Sequence, residues 1–319
     1  MNIFTMTIFI GLIASLLFGP IFIPILTKLK FGQNIREIGP KWHKNKNGTP
    51  TMGGIIFSLG LAVSVVASYK FMDYRAYLVL FSSLGFGIIG FIDDFIKVVL
   101  KRNLGLKAWQ KLALQIIVSL IFVFVGIEKG ILSMSINIPF TNTQWDMGWI
   151  YMPFAVFVML ATVNAVNLTD GIDGLAASVT VVVMMFFSII SLYINYVSLS
   201  LLAFGLIGAL MGFLVFNKNP AKVFMGDTGS LMLGGTVGAF ALALNNPIIL
   251  VFIGIVYFAE TISVIIQVTS FKLTGKRVFK MSPIHHHFEM CGWNERKIVL
   301  VFTFTTVLFC ILAYFGMGV

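Results

Sequence analysis

The sequence predicts an all-α polytopic membrane protein, with about ten transmembrane helices, formed by residues 1–319 as a single integral membrane domain. Of the 319 residues, 58% are hydrophobic and only 11% are charged, whereas soluble domains carry about 25% charged residues. Apolar runs recur from end to end. A spanning helix needs roughly 20 mostly apolar residues, because lipid offers no partner to an unpaired backbone group.

The apolar stretches define ten candidate spans. The first is not preceded by Lys or Arg, while Lys28 and Lys30 follow it, so it is predicted to be a retained span with its N-terminus outside rather than a cleaved signal peptide. The spans are 3–26, 53–69, 77–96, 109–127, 150–168, 175–194, 199–216, 230–245, 248–271 and 298–316.

Loop charge predicts which side of the membrane each loop faces. With the N-terminus outside, five loops share the cytoplasmic side, and with the span-edge Lys111 they hold 19 of the 22 Lys and Arg residues. The positive-inside rule supports this orientation. The net charge of +10 is therefore a topology signal with the lipid bilayer as partner, and no nucleic acid is expected, since no nucleic-acid module is recognisable.

Two further patterns bear on the fold. Apolar and polar residues alternate over 132–138 and are followed by Pro139 and Asn142, which predicts a short strand belonging to a small extracytoplasmic β-hairpin. The spacings Gly208-x-x-x-Gly212 and Gly234-x-x-x-Gly238 predict close helix packing.

Five of the twelve acidic residues fall in three short patches, each next to a cytoplasmic span end. Acids at membrane depth are costly and tend to mark function, so these patches predict a site at the cytoplasmic face. The patches are Asp93-Asp94-Phe-Ile-Lys97, Asn164-Ala-Val-Asn167-Leu-Thr-Asp170-Gly171-Ile-Asp173-Gly174 and Phe224-Met-Gly226-Asp227-Thr-Gly-Ser230.

The adjacent carboxylates of Asp93 and Asp94 repel, so a metal, proton or cation is needed there. Lys97 lies four residues after Asp93 and can share its helical face. The alternative is a solvated span terminus.

Asp170 and Asp173 are three residues apart and share a face if the segment is helical. Asn164 and Asn167 continue that face into the apolar span. Such a stripe suits ribose hydroxyls, an amide-bearing base or the hydration shell of a metal. The alternative is polar packing between helices.

Asp227 lies just before an apolar helix, where free backbone amides favour phosphate. Mg²⁺ prefers a few carboxylates together with phosphate oxygens and water, so Asp227 is the candidate metal ligand. The alternative is helix capping by the Asp, Thr and Ser of this patch.

His285, His286 and His287 lie in the last basic loop. Successive residues of a helix point apart, so all three are not expected to bind one metal; contact with phosphate is favoured, and a solvated run is the alternative. The first basic loop also ends in a span, so basic loops surround the acids, as an anionic substrate with bound Mg²⁺ requires.

Five motifs, taken in chain order, resemble those of the phospho-N-acetylmuramoyl-pentapeptide transferases. These form a family of the polyprenyl-phosphate N-acetylhexosamine-1-phosphate transferases. The resemblance covers essentially the whole chain. It is carried by the two patches around Asp93 and Asp227, by Asn164 to Ala176, and by Gly48-Thr-Pro-Thr-Met-Gly-Gly54 and Pro283-Ile-His-His-His-Phe288.

The resemblance implies a homodimer with both termini outside, a broken or bent ninth span that lets lipid approach laterally, and Mg²⁺ as cofactor. The reaction it implies is transfer of phospho-MurNAc-pentapeptide from UDP-MurNAc-pentapeptide to undecaprenyl phosphate, with release of UMP. It implies catalytic roles for Asp93, Asp94, Asp227 and His286, with Asp227 holding the metal. The implied substrate-binding residues are Lys46, Lys97, Asn164, Asn167, Asp170, Gly171, Asp173, Asn217, Phe224, Gln267, His285 and His287.

Two other functions are weighed against this one. A sibling enzyme would transfer GlcNAc-1-phosphate, but the triple histidine and the segment 49–54 argue against it. An ion-coupled transporter would place its acids near the membrane midplane at paired broken helices, whereas these acids lie at span ends on one face. No Walker loop is present, and phosphoryl transfer needs the charge neutralisation and positioning that this residue set supplies.

Overall fold

A computed structural model of the chain describes residues 2–29, 48–98, 105–141 and 143–317. Helices dominate these residues, and the remaining regular structure is one two-stranded sheet. The helices are α1 Ile3–Lys28, α2 Gly54–Ala67, α3 Tyr74–Val98, α4 Ala108–Glu128, α5 Tyr151–Thr169, α6 Leu175–Tyr193, α7 Val197–Asn217, α8 Gly226–Ala243, α9 Leu250–Ile253, α10 Ile255–Thr274, α11 Ile284–Met290 and α12 Glu295–Gly316.

The predicted spans correspond to helices of this structure. Among the described residues, eight helices are long and apolar enough to cross a membrane. The other two spans are α2, of 14 residues, and α8, of 18 residues, which is glycine-rich and begins with polar residues. The ninth span is interrupted at Gly254, where α9 ends and α10 begins, so the prediction of a break is confirmed.

The centre of the bundle is α8, where every residue from Thr228 to Ala243 is buried. It packs along α3 on one side and α5 on another, and α1 packs along α7. Many apolar side chains of the peripheral helices remain exposed. Since lipid solvates apolar surface, this outward-facing pattern is expected for a membrane bundle.

The predicted β-hairpin is confirmed at the end of the bundle opposite the acidic patches. Strands β1 Ser135–Ile138 and β2 Thr143–Asp146 pair antiparallel. The amide of Asn137 donates to the carbonyl of Asn245 at the end of α8, and that of Phe140 donates to the carbonyl of Gly316 at the end of α12. The hairpin therefore joins two helix ends on one face.

Glycines allow the helices to approach backbone to backbone, as their spacing predicts. A Cβ placed on Gly208 of α7 would overlap the carbonyl oxygen of Ile8 in α1, and one on Gly234 of α8 would overlap the backbone of Val163 in α5. Without a hydrophobic force between helices in lipid, such close contact stabilises the packing through van der Waals attraction.

Gly208→Ala is therefore expected to destabilise the bundle by about 1–3 kcal/mol, the usual cost of overpacking, because the obstructing atom belongs to backbone. Gly238→Ala is the matched control, since its Cβ would meet first the flexible tip of Met159, at 3.0 Å. Thermal unfolding of the two purified variants in detergent measures the difference. Equal melting temperatures would contradict this account of the α1–α7 contact.

Candidate active site

Three carboxylates from two helix ends meet at one end of the bundle. Asp93 and Asp94 lie in the last turns of α3, and Asp227 lies in the first turn of α8. One oxygen of each lies within 4.8 Å of one oxygen of each of the others. Asp227 is more than 130 residues from Asp93 and Asp94 along the chain, so the tertiary structure creates the cluster.

Asp227 contacts two ammonium groups and one side-chain amide in this cluster. Its Oδ2 lies 2.8 Å from Lys97 Nζ and 3.0 Å from Lys111 Nζ. Its Oδ1 accepts a hydrogen bond of 2.8 Å from Asn167 Nδ2. Helices α3, α4 and α5 thus all contact this one side chain on α8.

Lys111 is a site residue that the sequence did not reveal. It was counted only as a positive charge at a span edge. Its position in the first turn of α4 gives no sign that the ammonium group reaches an aspartate more than a hundred residues away. Only the packing of α4 beside α3 and α5 brings it there.

Asp94 caps the start of α8. It accepts hydrogen bonds from the backbone amide of Thr228 at 2.9 Å and from its hydroxyl at 2.7 Å, and a third from the amide of Asp227 at 3.2 Å. The first amides of a helix lack intrahelical partners, so a neighbouring helix supplies the acceptor. Gly90 makes this approach possible, because a Cβ there would overlap the carbonyl of Asp227.

Asp93 has a different set of partners. Its Oδ2 lies 2.5 Å from Lys97 Nζ, as the four-residue spacing predicts, and its Oδ1 accepts a hydrogen bond of 2.8 Å from the amide of Leu106. Asp93 and Asp94 are only 2% and 3% exposed. The alternative of a solvated span terminus is therefore wrong.

The side-chain amides of Asn167 and Asn164 on α5 lie in two different environments. Asn167 reaches the cluster and also donates to Ser230 Oγ at 2.8 Å. Asn164, one turn away, donates to Gln115 Oε1 of α4 at 3.0 Å and to the carbonyl of Leu160. Asn167 is therefore in contact with the acidic cluster, while Asn164 joins two helices beside it.

Asp170 and Asp173 also lie in different environments. Asp173 is buried and accepts hydrogen bonds from Asn219 Nδ2 at 3.2 Å and from the amide of Ala221 at 3.0 Å, so it holds the loop between α7 and α8. Asp170 is the C-cap residue that directly follows α5. Burial raises the pKa of the Asp170 carboxyl well above its ordinary value, and the negative charges of Asp227, Asp94 and Asp173 raise it further.

The residues expected around a nucleotide lie near the loop that precedes α8. Asn217 Nδ2 donates to the carbonyl of Val223 at 2.9 Å. The backbone of Phe224 bonds to Pro50 and Gly53 at the start of α2. Lys46 lies outside the described residues.

Gln267 on α10 holds the segment that follows its own helix. Its Oε1 accepts from the amides of Val278 and Phe279, and its Nε2 donates to the carbonyl of Phe279 at 2.9 Å. Its predicted role in a nucleotide pocket stays a prediction.

The three histidines point to different partners, as successive helical residues must. Two of them face a glutamate: His285 Nδ1 lies 3.0 Å from Glu260 Oε1, and His286 Nδ1 lies 2.6 Å from Glu289 Oε2. His287 Nδ1 accepts from the amide of Lys280 at 3.2 Å. The sequence does not reveal the role of Glu260, because it is an isolated acid in an apolar span.

Comparison with known proteins gives the family of this chain. Residues 76–245 match the model described as Glycosyl transferase family 4, and residues 46–57 match phospho-N-acetylmuramoyl-pentapeptide-transferase signature 1. A phospho-N-acetylmuramoyl-pentapeptide-transferase of Clostridium novyi (strain NT) is 48% identical over 317 residues, covering 99% of this chain and 98% of the relative. The chain belongs to the phospho-N-acetylmuramoyl-pentapeptide-transferase family.

Other members of the phospho-N-acetylmuramoyl-pentapeptide-transferase family are equally similar. One from Clostridium perfringens (strain 13 / Type A) is 52% identical, covering 97% of both chains. One from Clostridium botulinum (strain Eklund 17B / Type B) is 51% identical, covering 96% of this chain and 94% of the relative. Membership of this transferase family favours group transfer over ion-coupled transport.

Proposed function

We propose that this chain transfers phospho-MurNAc-pentapeptide from UDP-MurNAc-pentapeptide to undecaprenyl phosphate, giving lipid I and UMP in peptidoglycan biosynthesis. The observation that carries the proposal is the convergence of Asp93, Asp94 and Asp227 with two lysines at one end of the bundle. Phosphoryl transfer depends mainly on positioning and charge neutralisation, which such a cluster provides. Family membership supports the donor and acceptor named here.

The residue set fits a magnesium ion, with Asp227 as the ligand and Asp93 and Asp94 beside it. If the carboxylates of these three residues and of Asp170 are all ionised, they carry four negative charges. The ammonium groups of Lys97 and Lys111 carry two positive charges, so one Mg²⁺ would balance the remaining two. Repulsion among the acids, which contributes to the raised pKa of Asp170, also favours a cation. When bound, the ion supplies charge neutralisation at the phosphate oxygens of both substrates.

The two lysines are proposed to bind phosphate oxygens, because ammonium groups that pair with Asp227 lie within reach of any phosphate at that carboxylate. Asp93 faces Lys97 and is proposed to orient the lipid phosphate or to accept its proton. A phosphate monoester has a second pKa near 6 and is largely ionised at neutral pH. A strong base is therefore unnecessary, and one-step displacement is favoured over a covalent intermediate.

The donor nucleotide is proposed to lie beside this cluster. Its uridine and sugar would contact residues from the first basic loop and from α5 through α11, with His286, oriented by Glu289, on the sugar-phosphate side. The proposed contacts are Lys46, Asn164, Asn167, Asp170, Gly171, Asp173, Asn217, Phe224, Gln267, His285 and His287.

The proposed setting is the bacterial inner membrane, with the carboxylate cluster facing the cytoplasm, where UDP-sugars are made. The charge asymmetry of the loops supports this orientation. We propose that residues 1–319 act as one membrane domain and that two copies form a homodimer.

UMP release by the purified chain tests the reaction. With Mg²⁺ and undecaprenyl phosphate, UDP-MurNAc-pentapeptide is expected to yield UMP, whereas UDP-GlcNAc is expected to yield at least about 100-fold less, since a site that hydrogen-bonds a substrate group rejects an analogue lacking it. Chelation by EDTA should stop release, and added Mg²⁺ should restore it. With donor labelled in the sugar and no lipid acceptor, the chain should carry no label.

Release from UDP-GlcNAc at an equal rate would assign the chain to a sibling activity instead. Labelled chain trapped without acceptor would replace one-step displacement by a covalent route.

A further inference from the structure

Glu260 is a carboxylate buried within a membrane helix, and it is not explained by the proposed chemistry. It lies on α10 and is 0% exposed. A buried carboxylate is costly unless it is paired, and acids at membrane depth tend to be functional. The group facing it is the imidazole of His285, also 0% exposed.

Two contacts join Glu260 to His285. The ring Nδ1 lies 3.0 Å from Oε1, at an angle outside hydrogen-bond geometry. The backbone amide of His285 donates to Oε2 at 3.4 Å. Glu260 therefore holds both the ring and the backbone at the start of α11.

The opposite nitrogen of the ring faces the turn that follows α5. His285 Nε2 is buried and has no hydrogen-bond partner among the described residues. A Cβ placed on Gly171 would overlap that nitrogen. Since no left-handed backbone requires glycine at this position, the imidazole itself accounts for the absence of a side chain.

This turn is directly connected to the carboxylate cluster. Asn167 on the last turn of α5 binds Asp227 at 2.8 Å. Asp170 ends the same helix, and its amide donates to the carbonyl of Asn167. Gly171 is the next residue, so the imidazole packs one residue away from Asp170.

We propose that Glu260 is a positioning residue: from within α10 it presses the His285 ring against Gly171, and this contact fixes the Asp170 carboxylate where the nucleotide donor binds. The donor's identity rests on the function proposed above. The contact between α10, α11 and the α5–α6 turn is independent of it.

The melting temperatures of single and double variants test the contact between His285 and Gly171 without any substrate. Gly171→Ala is expected to lower the melting temperature of the purified chain, because its Cβ would overlap the ring. In the His285→Ala background, the same change should have little effect. In the Glu260→Leu background the effect should also shrink, since the ring is no longer held in place. Equal effects of Gly171→Ala in all three backgrounds would overturn the proposed contact.

Kinetics test the positioning role. Glu260→Leu is expected to raise KM for UDP-MurNAc-pentapeptide and to lower kcat/KM on the order of 10²-fold, the effect of misplacing a binding group by about 1 Å. KM for undecaprenyl phosphate should stay unchanged. Glu260→Gln keeps an oxygen acceptor and should recover most of the loss.

Ser263→Ala is the matched control, because Ser263 is buried on the same helix and its hydroxyl donates only to the carbonyl of Glu260. It should behave as the wild type. Wild-type KM for the nucleotide donor in Glu260→Leu would overturn the positioning role. If the wild-type chain released no UMP, the proposed reaction would fail while the thermal coupling still reported on the contact.

Discussion

Asp227→Asn is expected to lower kcat by about 10³-fold or more while the chain still inserts and folds. The carboxylate is the common partner of Lys97, Lys111 and Asn167, and the amide that replaces it is nearly the same size. Removing one preorganised charged group from a transition-state site costs about 10²–10³-fold in rate, and Asp227 is also the proposed metal ligand. UMP release by purified variant measures the loss.

Asp146→Asn is the matched control, since Asp146 is exposed on β2 at the opposite end of the bundle. It should leave UMP release unchanged. Gel filtration and thermal unfolding should give wild-type profiles for both variants. Near-normal turnover by Asp227→Asn would remove the metal-ligand assignment.

The second large effect is expected to differ between two adjacent residues, Asp94 and Asp93. Asp94→Asn is expected to lower both stability and activity, because Asp94 accepts three hydrogen bonds from the start of α8 and an amide group would oppose one or more of these donors. Hydrogen bonds to charged groups contribute about 1.5–3 kcal/mol, so a loss of about 2 kcal/mol is expected. Displacing Asp227 should lower kcat on the order of 10²-fold.

Asp93→Asn is the comparison for this change. It removes the same charge from the cluster, but Asp93 binds Lys97 and the amide of Leu106 rather than the start of α8. It should lower activity while the melting temperature stays closer to wild type than that of Asp94→Asn. If Asp93→Asn were the less stable variant, Asp94 would not be the cap that positions Asp227.

The sequence alone was enough to predict the ten spans and the meeting of the acidic patches at one end of the bundle, while the orientation of the spans stays a prediction. Each of these follows from local signals: hydropathy defines a span because the solvent is lipid, and charge bias places the loops. The break in the ninth span and the pairing of Asp93 with Lys97 were also predicted. The motif residues also indicate the family.

Only the tertiary structure determined which side chains become partners. The capping of α8 by Asp94 and the approach of Lys111 to Asp227 join helices distant in sequence, and the burial of Glu260 against His285 joins two consecutive helices. A contact of this kind depends on which helix ends meet. The lack of a side chain at positions 90 and 171 lets the Asp227 carbonyl and the His285 ring approach there. Local pattern carries no such information, because hydropathy specifies an environment and not a partner.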